Sequence, residues 1–214
     1  MCRRHFDPKI IQTASAEMIN HHDWEETTNI LIMPGGRATP YFEDLYLHGN
    51  QKIKNFVMKG GCYFGLCAGG YYGASRIIFE KDHRHEIITE NALGLYKGIA
   101  EGPAYECGVF EYNSEAGAKV IEIMTHDNIV LPVYFNGGCW FEDIGANINI
   151  KILARYTNFH NKPAIISFSY GKGSVILSGV HFEYLLQDGY KEQRDVFAWS
   201  LFSTGRRAGC FDKN

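Results

Sequence analysis

The stretch Gly65-Leu66-Cys67-Ala68-Gly69-Gly70, GLCAGG, follows the apolar run Cys62-Tyr63-Phe64 and sets a thiol among small residues. A strand that enters a helix through so tight a bend needs small neighbours, because the backbone must turn sharply and a substrate must approach it. On this reading Cys67 is the nucleophile of an elbow. A helix N-terminus directly after it favours a thiolate, and the Ala68 N–H can donate to a developing oxyanion. Taken alone, the same residues read nearly as well as a packed turn, since cysteine is commonly buried.

The segments on either side place this bend in a fold. Asn29 to Gly36, NILIMPGG, is an apolar run ended by Pro-Gly-Gly, the pattern of a buried strand leading into a turn. NQKIKNFVMKGG sets Ile53, Phe56 and Val57 at i, i+3 and i+4, with Gly60 placed to cap an amphipathic helix. CYFGL reads as a second buried strand, and AGGYYGASRIIF as the helix behind it. Strand, helix, strand, helix with apolar strands implies a parallel sheet covered on both faces.

From Ala92 to Leu153 the character changes to short strands, KVIEIM, IVLPVYF and IKILARY, separated by glycine-rich turns. PAIISFSYGKGSVILSGVHFEY then gives two strands joined through Gly171-Lys172-Gly173. A last helix is expected over about Tyr190 to Phe202, carried by Val196, Trp199, Leu201 and Phe202. No repeat or linker interrupts the chain, so residues 1–214 read as one domain with a core over about 29–203.

Composition narrows the function. The chain has 214 residues, 45% hydrophobic and 21% charged, which suits a globular core. A net charge of −3 offers no electrostatic reason to bind nucleic acid or an anionic membrane. No apolar run approaches the roughly 18–20 residues that span a bilayer, and the basic start MCRRHFDPKIIQ lacks a secretory apolar stretch. Cys2, Cys62, Cys67, Cys107, Cys139 and Cys210 show no CxxC spacing, so a reduced, cytoplasmic protein is expected. His83 and His85, like His21 and His22, lack further ligands at standard spacing and read as solvated. Neither a metal nor a cofactor is expected.

Two further elements give Cys67 a chemical setting. In SGVHFEY, His181 and Glu183 lie two apart directly after a strand. A base for the thiol and a carboxylate to orient that base are what nucleophilic cysteine catalysis requires. Pro34-Gly35-Gly36 can present a free N–H toward the cysteine from a neighbouring strand end, supplying a second oxyanion donor. In isolation it is simply a sharp turn.

With the three elements in this order, the chain resembles the class I glutamine amidotransferase-like superfamily. Within it, ILIMPGGRATPY, IKNFVMKGGCYFGLCAGGYYG, YFNGGCWFED and GKGSVILSGVHFEY resemble the N-terminal domain family of biotin–protein ligases. The resemblance implies an α/β, flavodoxin-like three-layer sandwich with a mostly parallel central sheet and a β-rich extension. It implies a Cys-His-Glu triad of Cys67 as nucleophile, His181 as base and Glu183 as orienter. The N–H groups of Ala68 and of the Gly35/Gly36 turn would hold the oxyanion. Arg37, Tyr71, Asn136 and Gly137 are candidates for a pocket beside the thiol, although Tyr134 to Gly138 receives no chemical role.

Three departures accompany the resemblance. The superfamily's opening strand and helix have little room ahead of KIIQTASAEMI, so either they are absent or the chain begins late relative to its relatives. The usual His-Pro-Glu is His181-Phe182-Glu183, without the fixed φ of proline. Arg37-Ala38-Thr39 stands where relatives often carry an acid. STGRRAG faintly resembles a biotin-binding loop, but too few residues follow Gly205 for a ligase catalytic domain, and it reads as a basic tail. The expected activity is amide hydrolysis or acyl transfer on a small-molecule amide. The alternative is an inactive regulatory or binding module for a biotin ligase or another protein partner. A cysteine peptidase-like relative of the superfamily ranks behind both, because no acid from an earlier strand faces the elbow.

Overall fold

The computed structural model describes residues 8–90, 92–142, 150–184, 186 and 189–207, with only the backbone course given for 202–207. Strands β1 (Ile30–Met33), β2 (Cys62–Leu66), β6 (Lys119–Thr125), β7 (Val130–Phe135), β9 (Lys151–Tyr156), β10 (Pro163–Tyr170) and β11 (Gly173–Ser178) form one sheet. Its order is β1-β2-β11-β10-β9-β6-β7. The sheet is mixed rather than mostly parallel: only where the site lies does β2 pair parallel, with both β1 and β11. Beyond β11 every pairing is antiparallel. The Gly171 hairpin explains the switch, since a tight turn can only return the chain antiparallel. Among the described residues no strand precedes β1, which forms one edge of the sheet.

Alternation along the central strands divides their side chains between two cores. Tyr63, Val175, Leu177 and Ile166 face one core, and Phe64, Ile176 and Ile165 the other. On the first face pack helices α1 (Ala16–His21), α2 (Thr39–Asp44) and α3 (His48–Met58). The α3 stripe of Ile53, Phe56 and Val57 is buried there as its spacing requires. Gly60, just past the helix, adopts φ +119°, a conformation that suits glycine. The second face is closed by α5 (Lys191–Arg207). Three layers result.

The expected β-rich extension is divided: KVIEIM, IVLPVYF and IKILARY join the main sheet as β6, β7 and β9, and a second sheet is ordered β4-β3-β5-β8. It comprises β3 (Ala74–Phe79), β4 (Ile87–Thr89), β5 (Tyr96–Gly102) and β8 (Trp140–Phe141). Here the expected helix over AGGYYGASRIIF is corrected: helix α4 covers only Ala68–Tyr72, and Ala74 to Phe79 is strand. Three glycines within six residues are poor helix formers, whereas Ile77 and Ile78 favour a pleated surface. Ile77 and Phe79 turn inward from that strand into the first core.

The terminal helix is also shifted from its expected register. Val196 and Trp199 are exposed, and the buried face is Arg194, Phe197, Ala198 and Leu201. Arg194 enters this face because its guanidinium donates to the carbonyls of Pro132 and Leu186, which satisfies a buried charge. Ser203 to Arg207, expected as tail, continue the helix. The rest of STGRRAG lies outside the described residues.

Candidate active site

Cys67 stands between β2 and α4 with φ +47° and ψ −102°, a backbone setting that non-glycine residues rarely adopt. Strain of this kind persists only where the surroundings fix it, and the surrounding glycines do so. A Cβ on Gly65 would lie 2.2 Å from the Gly69 carbonyl oxygen, one on Gly69 2.2 Å from that of Met33, and one on Gly70 2.5 Å from that of Ser178. The small residues of GLCAGG are therefore demanded by close backbone approach. The Cys67 N–H donates to the Ser178 carbonyl at 2.8 Å, and the Gly69 N–H to that of Pro34 at 3.2 Å. Tyr63 adds a hydroxyl bond to the Gly69 carbonyl.

Ser178 also shapes the loop that brings up the imidazole. Its hydroxyl bonds the Val180 carbonyl and accepts the Val180 N–H. Next along the chain, the His181 N–H donates to the Tyr134 carbonyl at 3.0 Å. Phe182, where the resemblance leads one to expect proline, is buried, stacked on Phe64 and edge-on to Phe197. Core packing thus holds the loop that proline would otherwise stiffen.

The His181 ring lies between the other two expected site residues. Nδ1 is 2.7 Å from Glu183 Oε1, and the ring lies beside Cys67, close enough to interact with its sulfur. Gly35 closes the gap from β1: a Cβ there would lie 2.4 Å from His181 Cε1 and 3.4 Å from Cys67 Cβ. Burial opposes a charge on His181, but interaction with Cys67 and with the Glu183 carboxylate outweighs it. Together they push the imidazole up to about 11. At Cys139 burial is the leading cause, with interaction with Cys67 adding to it, and the thiol is pushed well above its ordinary range.

The expected pocket residues converge on the same place. Gly36, Arg37, Ala68, Tyr71, Asn136 and Gly137 line an open cleft of about 420 Å³ with Cys67. The segment Tyr134 to Gly138, which had no role from sequence, is the rear wall. The Asn136 carbonyl lies 3.8 Å from Cys67 Sγ, and the Gly137 carbonyl accepts the Tyr71 hydroxyl at 3.0 Å. A Cβ on Gly138 would lie 1.7 Å from the Gly179 carbonyl oxygen, so this wall interlocks with the turn leading to His181.

Sequence reasoning missed several contributors. Ser178 carried no signal beyond ending a strand. Phe42, Phe79, Phe110 and Tyr112 also line the cleft, and they come from distant segments that no local pattern joins. Arg37 lies over the Tyr112 ring, with its guanidinium carbon 4.5 Å from the centroid.

Comparison with known proteins gives the family and the fold. The family model described as "Biotin-protein ligase, N terminal" matches residues 2–199. The chain belongs to this family. It is 36% identical over 185 residues to an uncharacterized protein of Chlamydia muridarum (strain MoPn / Nigg), covering 84% of this chain and 70% of that one. It is 35% identical over 176 residues to the biotin–protein ligase of Schizosaccharomyces pombe (strain 972 / ATCC 24843). That match takes in 79% of this chain but spans only 28% of the ligase. Among solved structures, a glutamine amidotransferase superposes with a TM-score of 0.58 at 19% identity, covering 86% of this chain and 83% of that one. The family member thus has an amidotransferase-like fold, and none of its described helices is long and apolar enough to cross a membrane.

Proposed function

We propose that the chain is an amide hydrolase or acyl-transfer domain in which Cys67 is the nucleophile, His181 the acid–base and Glu183 its orienter. The observation that carries this reading is His181 itself, held between a cysteine on a strained elbow and a carboxylate 2.7 Å from its Nδ1. A packed structural cysteine needs neither partner.

The step balances with these side chains and water. Cys67 Sγ forms a bond to the amide carbonyl carbon, and the oxygen gains negative charge beside the N–H groups of Ala68 and the Gly35/Gly36 turn. As the C–N bond breaks, the amine leaves with the proton of His181. His181 has this proton to give because it takes the one the Cys67 thiol loses on attack. Water then gives a proton to His181 and its oxygen to the carbonyl carbon. The C–S bond breaks, releasing the acid. Glu183 keeps the imidazole in the tautomer that both transfers use. A reducing, cytoplasmic setting suits a nucleophilic thiol.

A second reading, a regulatory or binding module for a biotin ligase or another protein, is favoured by the ligase relative, in which the matching region is a minor part. The two readings part at the thiol. Iodoacetamide labelling of Cys67, followed by mass spectrometry, is expected to be fast in the native chain and at least about tenfold slower in His181→Ala. Equal rates would favour the module.

A further inference from the structure

The walls of the cleft restrict what can be presented to Cys67. Phe42, Ile77, Phe79, Ile87 and Phe110 supply apolar and aromatic surface, and no Asp or Glu is among the lining residues. The lining carries a single charged side chain, Arg37, held over the Tyr112 ring. Among the described residues Arg37 has no carboxylate partner, so its donors are free for a ligand. The nearest acid in sequence to that ring, Glu111, is engaged by Arg84 at 3.4 Å and His85 at 3.0 Å.

Free glutamine fits such a cleft poorly. Its α-carboxylate could meet Arg37, but its α-ammonium would lose water among apolar walls whose lining holds no carboxylate to pair it, and an unpaired buried charge is costly. Apolar walls with one cation at the mouth instead complement an apolar chain or ring that ends in an anion.

We infer that the substrate is an amide whose acyl part is apolar, ends in a carboxylate and carries no ammonium, with Arg37 binding the carboxylate. This rests on the acyl-transfer reading of Cys67 and specifies its substrate class. Arg37 becomes the residue that sets specificity.

The test uses chloromethyl ketones, in which Cys67 Sγ displaces chloride and forms a C–S bond, with labelling at each cysteine read by mass spectrometry. Three are compared at pH 7: phenacyl chloride, its para-carboxylate and the chloromethyl ketone analogue of glutamine. Each rate is divided by the rate with glutathione to remove intrinsic reactivity. The expected order at Cys67 is carboxylated phenacyl, then phenacyl, then the glutamine analogue, with about tenfold between the first two. In Arg37→Met that ratio is expected to fall to about one. A glutamine analogue that labels Cys67 as fast as the carboxylated phenacyl probe would overturn the inference, and so would an unchanged ratio in Arg37→Met. Iodoacetamide, which has no side group to recognise, separates this from the broader reading. Failure to label Cys67 with it overturns both, whereas fast labelling with the wrong order overturns the specificity alone.

Discussion

His181 concentrates the chemistry of the site in one ring. Its pKa is pushed up to about 11 by interaction with Cys67 and the Glu183 carboxylate, against the effect of burial. An NMR titration is expected to show a proton retained well above neutrality, and a return toward the ordinary value of about 6.5 in Cys67→Ala. Because the folded value is raised, the bound proton stabilises the fold fully below about pH 6.5. That contribution declines above this pH and is lost as pH passes about 11. The stability gap between the native chain and His181→Gln should therefore narrow across that window, and a gap that widens would contradict the ion pairing. Gly35 is the steric counterpart. With 2.4 Å available to the His181 ring, Gly35→Ala should push the imidazole away and slow Cys67 labelling at least about tenfold, with a folding cost of about 1–3 kcal/mol. The three polar residues could be read from sequence because their chemistry names them. The part played by Gly35 and Ser178 could not, since packing distances and backbone bonds leave no local pattern.

At the level of elements, two turns are interlocked behind the thiol. Gly138 and Gly179 approach so closely that neither admits a Cβ: the nearest backbone oxygens would lie 1.7 and 1.8 Å away. Gly138→Ala is expected to lower the melting temperature by several degrees, consistent with a cost of about 1–3 kcal/mol. Tyr71 joins α4 to the same wall through the Gly137 carbonyl. Tyr71→Phe leaves that acceptor unpaired and should cost about 1–3 kcal/mol, measured by denaturant midpoint. Apolar runs ended by glycine were enough to place β1, α3, β2 and the β10–β11 hairpin. The residues after Cys67 misled because a helix opening and a strand abut at Gly73, and periodicity averages across such a junction. The terminal helix misled because buried Arg194 reads as surface until its carbonyl partners are seen.

Over the whole molecule, the sheet divides the labour. Its parallel half, β1, β2 and β11, carries Gly35, Cys67 and the approach to His181, all at the C-terminal ends of the strands, where open α/β sheets place their sites. The antiparallel half and the small second sheet build the wall and the apolar cleft. The parallel half was legible because each strand is a short apolar run closed by glycine or serine. The rest was not, because long-range pairing of β6, β7 and β9 depends on partners far along the chain. This division is complete only if the thiol at its centre is activated. The most direct measurement is trapping of Cys67 by a small electrophile, quantified by mass spectrometry at each cysteine in the native chain and in His181→Ala. Activation requires labelling concentrated at Cys67 and reduced at least about tenfold by the substitution. Labelling at Cys67 that is no faster than at exposed Cys107, and indifferent to His181, would show instead a cysteine that only fills a turn.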